Sequence, residues 1–258
     1  VKEINADRAS LAERVYDAIR NAIILGDLTP GSLHSVQEIA SQLKVSRTPA
    51  REALLKLADQ GMVRFERNRG ARILETSVHD LEQVFSLRLL LEVPATYRAT
   101  SLIGEEELRH LAQCIESFRK ASVRNTRKHL ELDARFHRII MRASGNRRLA
   151  DFVDTLRDLQ MMRGASTAAR TRTLADICDD HQRIFERIAA RDPAGAASTM
   201  RDHIALTSRL LIAQETGEIE AAEKFESAWI DLLHIPQATE CRFPPRSDPG
   251  FPLRTDPG

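Results

Sequence analysis

Residues 35–61 read SVQEIASQLKVSRTPAREALLKLADQG. Ile39, Ala40 and Leu43, then Ala50, Ala53, Leu54 and Leu57, recur at helical spacing, leaving only Lys44, Val45 and Ser46 to turn the corner. Two short helices joined so tightly form a helix-turn-helix. Ser35, with Glu38 three residues on, predicts a capping box at the first helix. Ser46 or Thr48 caps the second, and Pro49 is tolerated in a first turn whose N–H groups have no helical partner. Arg47 and Arg51, one turn apart, then stand at the end that a recognition helix presents to base edges and phosphates.

Downstream, residues 62–65 and 71–74 read as short strands joined by a basic tip, ERNRG at 66–70. Without this hairpin the helix pair is equally compatible with two bundle helices carrying solvated arginines. With it, the pattern is a winged helix. Upstream, Leu11, Val15, Ile19, Ile23 and Ile24 mark the apolar face of a first helix, closed by Gly26. The whole chain of 258 residues is nearly neutral, with 38 Lys and Arg against 37 Asp and Glu. Basic character is local: Lys44, Arg47, Arg51, Lys56, Arg64, Arg67, Arg69 and Arg72 face only Glu52, Asp59 and Glu66 in that stretch. That is the footprint of a module for double-stranded DNA.

VSRTPAREALLKLADQGMV followed by RNRGARI closely resembles the DNA-binding domain of the GntR family of bacterial transcription regulators, whose signature runs V-S-R-T-P-x-R-E-A-L-x-x-L and then N-R-G-A. The resemblance implies DNA contacts from Arg47, Thr48 and Arg51, with Ser46 at the helix start and Arg69 and Gly70 at the wing tip. Two positions depart from the family: Lys44 where such turns often have Gly, and Ser35 where an acidic residue is usual.

Beyond residue 75 the pattern changes to helix after helix. Segments are expected at 78–100 (with a possible kink at Pro94), 105–121, 126–143, 147–163, 171–190 and 193–213, with Ser77 and Asp80 capping the first and Asp192-Pro193 starting the last. The fold class is therefore mainly α, a winged helix-turn-helix at 10–75 followed by an all-helical bundle at 76–234, to which the resemblance described below assigns effector binding and dimerisation. Residues 1–9 read as a disordered lead, 215–233 as a last helix, and 235–258 as a disordered proline-rich tail.

Asp133 and His137, at i and i+4, share a helix face with Leu130, Ile140 and Met141. His181 lies on the face of Ile177, Ile184 and Ile188, and His203 on that of Met200, Ile204, Thr207 and Leu210. Singly, each has a plain structural explanation as a local hydrogen-bonding group. Together, three imidazoles and a carboxylate converging in a bundle form a ligand set for a divalent transition ion, with Zn, Ni, Mn and Fe all compatible. His129 is a rival ligand whose position reads as surface.

LDARFHRII followed by SGN, then DDHQRIFERIAARDPAGA and MRDHI, is similar to the FCD effector domain of FadR-type GntR regulators. The resemblance implies a metal held by Asp133, His137, His181 and His203 at the floor of a ligand cavity, lined also by Arg88 and Asn146. Four protein ligands on a six-coordinate ion leave two positions for a small organic acid, whose charge Arg88 would match. Alternatively, Arg88 pairs with Glu92 at i+4.

The implied protein is a ligand-responsive repressor, a homodimer on a palindromic operator. The competing class is a metal-dependent enzyme acting on a small carboxylate, since an ion with open positions also activates water. Against it, no general base stands out beyond the ligands. Cys114, Cys178 and Cys241 form no CxxC pair, which suits a reducing compartment. No run is long and apolar enough to cross a bilayer and no signal-peptide layout opens the chain, so a cytoplasmic location is expected.

Overall fold

The computed structural model describes residues 11–120, 126–162, 167 and 171–217. The expected lead, the proline-rich tail, Cys241 and nearly all of the expected helix at 215–233 lie outside the described residues.

The first part is α1 (Leu11–Ile24), β1 (Leu33–His34), α2 (Val36–Gln42), α3 (Arg47–Asp59), β2 (Val63–Glu66) and β3 (Gly70–Ile73). Val15, Ile19 and Ile23 of α1 pack with Ile39, Ala50, Leu54 and Leu57 into one core, closed below by Met62 and Ile73. Lys44 adopts φ +54°, the left-handed geometry for which glycine is usual in such a turn.

The capping chemistry differs from the expectation in two places. Ser35 accepts the Glu38 N–H at 3.1 Å, but the Glu38 carboxylate turns to His34 Nδ1 at 3.2 Å, so only half of the box forms. Ser46 is the N-cap of α3, yet its hydroxyl makes no capping bond. Pro49 occupies the third helical position and has no N–H to offer it.

The wing strands sit one residue away from their expected ends, in the register Val63↔Ile73 and Glu66↔Gly70. The two-residue β1 was not foreseen. It pairs antiparallel with β3, giving the sheet order β1-β3-β2. Gly70, at φ +130°, is required there, because a Cβ would overlap the His34 carbonyl across that pairing.

The second part is α4 (Val78–Leu102), α5 (Glu105–Lys120), α6 (Thr126–Ala143), α7 (Arg147–Met162), α8 (Leu174–Ala189) and α9 (Pro193–Thr216). A reciprocal capping box between Ser77 and Asp80 starts α4, which runs on through Pro94. Proline there removes only the bond to the carbonyl of exposed Leu90, which water can satisfy. Helix α8 begins at Leu174 rather than at 171, because Thr173 and Asp176 form a second capping box. Helix α4 packs most extensively along α9, and Phe85, Leu89, Val93, Phe136, Ile140, Ile184 and Met200 fill the bundle core.

Candidate metal centre and nucleic-acid interface

Helix α3 buries Ala50, Ala53, Leu54 and Leu57, which turns Ser46, Arg47, Thr48 and Arg51 outward. The Arg51 guanidinium lies 5.8 Å from the centre of the Phe65 ring on β2, so the wing supports this exposed side chain of α3. At the wing tip, Asn68 takes φ +60°. Glu66 binds Arg72 and also Arg69, the latter at 3.0 Å. Arg72 beside it holds the Glu66 carboxyl below its ordinary value. This pairing offsets part of the wing's charge while leaving Arg69 exposed.

In the bundle, one ligand atom from each of Asp133, His137, His181 and His203 lies within 4.8 Å of the others. Helix α6 supplies the first two, α8 the third and α9 the fourth. Two of the three imidazoles are oriented from outside by a hydrogen bond. His137 Nδ1 lies 2.6 Å from Glu92 Oε2 and His181 Nδ1 2.7 Å from the Ile177 carbonyl, whereas His203 Nδ1, 3.6 Å from Asp180 Oδ2, makes no hydrogen bond. A carbonyl only accepts, so His181 Nδ1 carries a hydrogen and its Nε2 turns toward Asp133 Oδ1, 3.1 Å away. Two acceptors at that distance need a cation between them, either a proton or a metal. His137 Nε2 is buried without a hydrogen-bond partner. A spacing of about 3 Å is what neighbouring ligands at about 2.1 Å from one ion adopt. The outward bonds of His137 and His181 match the way metal-ligating histidines are usually held. These residues fit a metal.

The electrostatics favour metal-ready protonation states. Burial pushes the His137 pKa down to about 3, and Arg157 adds to it; burial pushes His203 down to about 4. Burial opposes ionisation of Glu92, but Arg88 and His137 outweigh it and hold the carboxyl well below its usual range. Asp133 is likewise held low, against burial, by Arg157 and His181. Neutral imidazoles and an ionised carboxylate are the forms that bind metal.

A cavity of about 60 Å³ opens beside this cluster, lined by Arg88, Asp133, Arg157, Gln160 and His203 among others. Arg88 is 2% exposed and combines both expectations: its Nε donates to Glu92 Oε1 at 2.6 Å, and its Nη1 reaches Gln160 at the cavity wall. Two expectations fail. Asn146 is exposed at the start of α7, where its Oδ1 accepts the Leu149 N–H at 3.1 Å; it caps the helix and does not line the cavity. His129 is buried rather than on the surface, near Phe118 and on the cavity wall. Arg157, Gln160 and Asp180 were missed as site residues, and Glu92 was foreseen only as a partner of Arg88. Their roles depend on contacts between distant helices, which leave no local spacing to read.

Residues 11–73 match the family described as bacterial regulatory proteins, gntR family, and residues 83–206 match the FCD domain. A helix-turn-helix transcriptional regulator from the TAR-I ttuE-ttuC' intergenic region of Agrobacterium vitis is 34% identical over 146 residues, covering 54% of this chain and 85% of that protein. The chain belongs to the GntR family. The FCD domain of this GntR protein places it in the FadR-type branch. It is also similar to the transcriptional repressor RspR of Escherichia coli, 25% identical over 201 residues that span 74% of this chain and 85% of RspR. The solved structure of E. coli McbR/YncC shares its fold, with a TM-score of 0.72 and 20% identity over 80% of this chain and 99% of that one. The curated relatives are transcription regulators, and a GntR helix-turn-helix implies DNA binding. No helix among the described residues is long and apolar enough to cross a membrane.

Proposed function

We propose that this GntR protein is a cytoplasmic repressor that senses a small organic acid at a metal-containing pocket. The observation that carries the reading is the approach of His181 Nε2 to Asp133 Oδ1 while His181 Nδ1 and His137 Nδ1 already face other acceptors. A divalent transition ion, Zn, Ni, Mn or Fe, held by Asp133, His137, His181 and His203 would supply an electrophilic anchor for a carboxylate. Arg88 and Arg157 at the same cavity supply matching charge. Ser46, Arg47, Thr48 and Arg51 of α3, with Arg69 and Gly70 of the wing, form the DNA-contacting surface. Leu87, Leu90 and Pro94 are exposed on one side of α4, a face suited to a second copy that would place two recognition helices on a palindromic operator. Release from DNA requires the acid to bind the released arrangement more tightly, since equal affinity shifts no equilibrium.

The test is a thermal-shift screen of small carboxylic acids on metal-loaded and chelator-treated protein, with product analysis in parallel. Stabilisation that needs metal and leaves the acid unconsumed supports the sensor. Consumption of the acid would overturn it in favour of a metal-dependent enzyme.

A further inference from the structure

Consecutive residues of α7 serve different parts of the molecule. Arg157 turns into the bundle, where its Nη2 binds Asp133 and its Nη1 lies 3.8 Å from Glu92. Gln160, one turn on, accepts from Arg88. Asp158 points the other way and takes both Nε and Nη2 of Arg20 on α1. Leu159 packs against the winged-helix core and accepts the Thr76 hydroxyl at 3.5 Å, and Met162, 4% exposed, is part of that core. Thr155 accepts from Gln60 at the end of α3, and Gln60 in turn accepts the Tyr16 hydroxyl at 2.8 Å.

We infer that residues 155–162 of α7 carry the state of the cavity to the DNA-binding module, with the Arg20–Asp158 ion pair as the joint. A helix moves as a rigid body because its backbone bonds are internal, so displacement at Arg157 and Gln160 reaches Asp158 and Met162 without being absorbed in a loop. Helix α1 packs along α3, so what reaches Arg20 reaches the recognition helix. The trigger rests on the proposed function: a carboxylate entering the cavity competes with Asp133 and Glu92 for the guanidinium groups of Arg157 and Arg88, and so with the contacts that seat α7. The Arg20–Asp158 side chains are 17% and 4% exposed, so this joint is shielded from solvent screening.

Hydrogen–deuterium exchange on the full chain tests the joint without a ligand. Gln160→Ala is expected to change amide exchange in α1 and α3 by about fivefold or more in the wild-type background. In an Asp158→Asn background the same substitution is expected to leave α1 and α3 unmoved while peptides of α6 and α8 still respond. Arg20→Gln serves as the second background should Asp158→Asn fail to fold. An equal response of α1 in all backgrounds, or none in any while α6 and α8 respond, overturns the inference. A parallel arm with zinc chloride alone separates the two readings. Zinc that leaves α6 and α8 unchanged contradicts the metal centre, while the Gln160→Ala comparison still decides the joint.

Discussion

His137 Nδ1 and Glu92 Oε2 lie 2.6 Å apart with both side chains at 0% exposure, and the other oxygen of the same carboxylate accepts from Arg88. One buried carboxylate on α4 thus orients a metal-ready imidazole and a guanidinium of the cavity wall together. Arg88 and, at 3.8 Å, Arg157 compensate its desolvation, and without such cations an ionised group at this depth would be untenable.

Glu92→Gln should therefore weaken metal binding about 10- to 100-fold, the usual effect of losing the group that orients a ligating histidine. Competition against a chromophoric chelator reads it. Unchanged affinity would remove Glu92 from the centre.

His181→Ala combined with His203→Ala should abolish stoichiometric metal, because only Asp133 and His137 of the four-residue cluster remain. Elemental analysis of the purified variant finding full occupancy would refute the ligand assignment.

Chelator-stripped protein should lose stability as pH falls from about 6.5 toward 4. His137 and His203 have folded pKa values of about 3 and about 4 against 6.5 ordinarily, so in this window the unfolded chain binds the extra protons. Stability then rises with pH and levels off above the unfolded value, by on the order of 1 to 2 kcal/mol per histidine. Glu92 and Asp133, held low when folded, act in the same direction at more acid pH. Urea midpoints at pH 7 and pH 5 check this, and equal midpoints would contradict buried neutral imidazoles.

Arg51→Ala should cost about 1 to 3 kcal/mol of specific operator affinity if the guanidinium reads a base edge. The residue is exposed, so the melting temperature should hardly move. Fluorescence anisotropy on specific and scrambled duplexes separates base reading from phosphate contact, and unchanged affinity on both would exclude Arg51 from the interface.

Leu90→Glu should convert the proposed dimer to monomer by placing a charge on the exposed stripe of α4. Sedimentation velocity measures it. A variant that remains dimeric moves the interface elsewhere.

The chain itself determined the helices and motifs whose signal is local, apart from the capping details at Ser35 and Ser46. Helical spacing placed α1 to α9 within a few residues, and VSRTPAREALLKL with NRGA marked the recognition helix and wing. The clustering of Asp133, His137, His181 and His203 was legible because each stands on the apolar face of its helix, and because the stretches that carry them resemble the FCD domain. Tertiary structure alone decided what depends on two distant segments meeting: the β1 pairing with β3, the burial of His129, the absence of Asn146 from the cavity wall, and Glu92 at the centre of the polar network. It also decided that Arg157 and Asp158, adjacent in sequence, serve different domains. Periodicity reports which side of a helix is buried, whereas the partner on that side is set by how helices pack, and that information is spread over the whole chain.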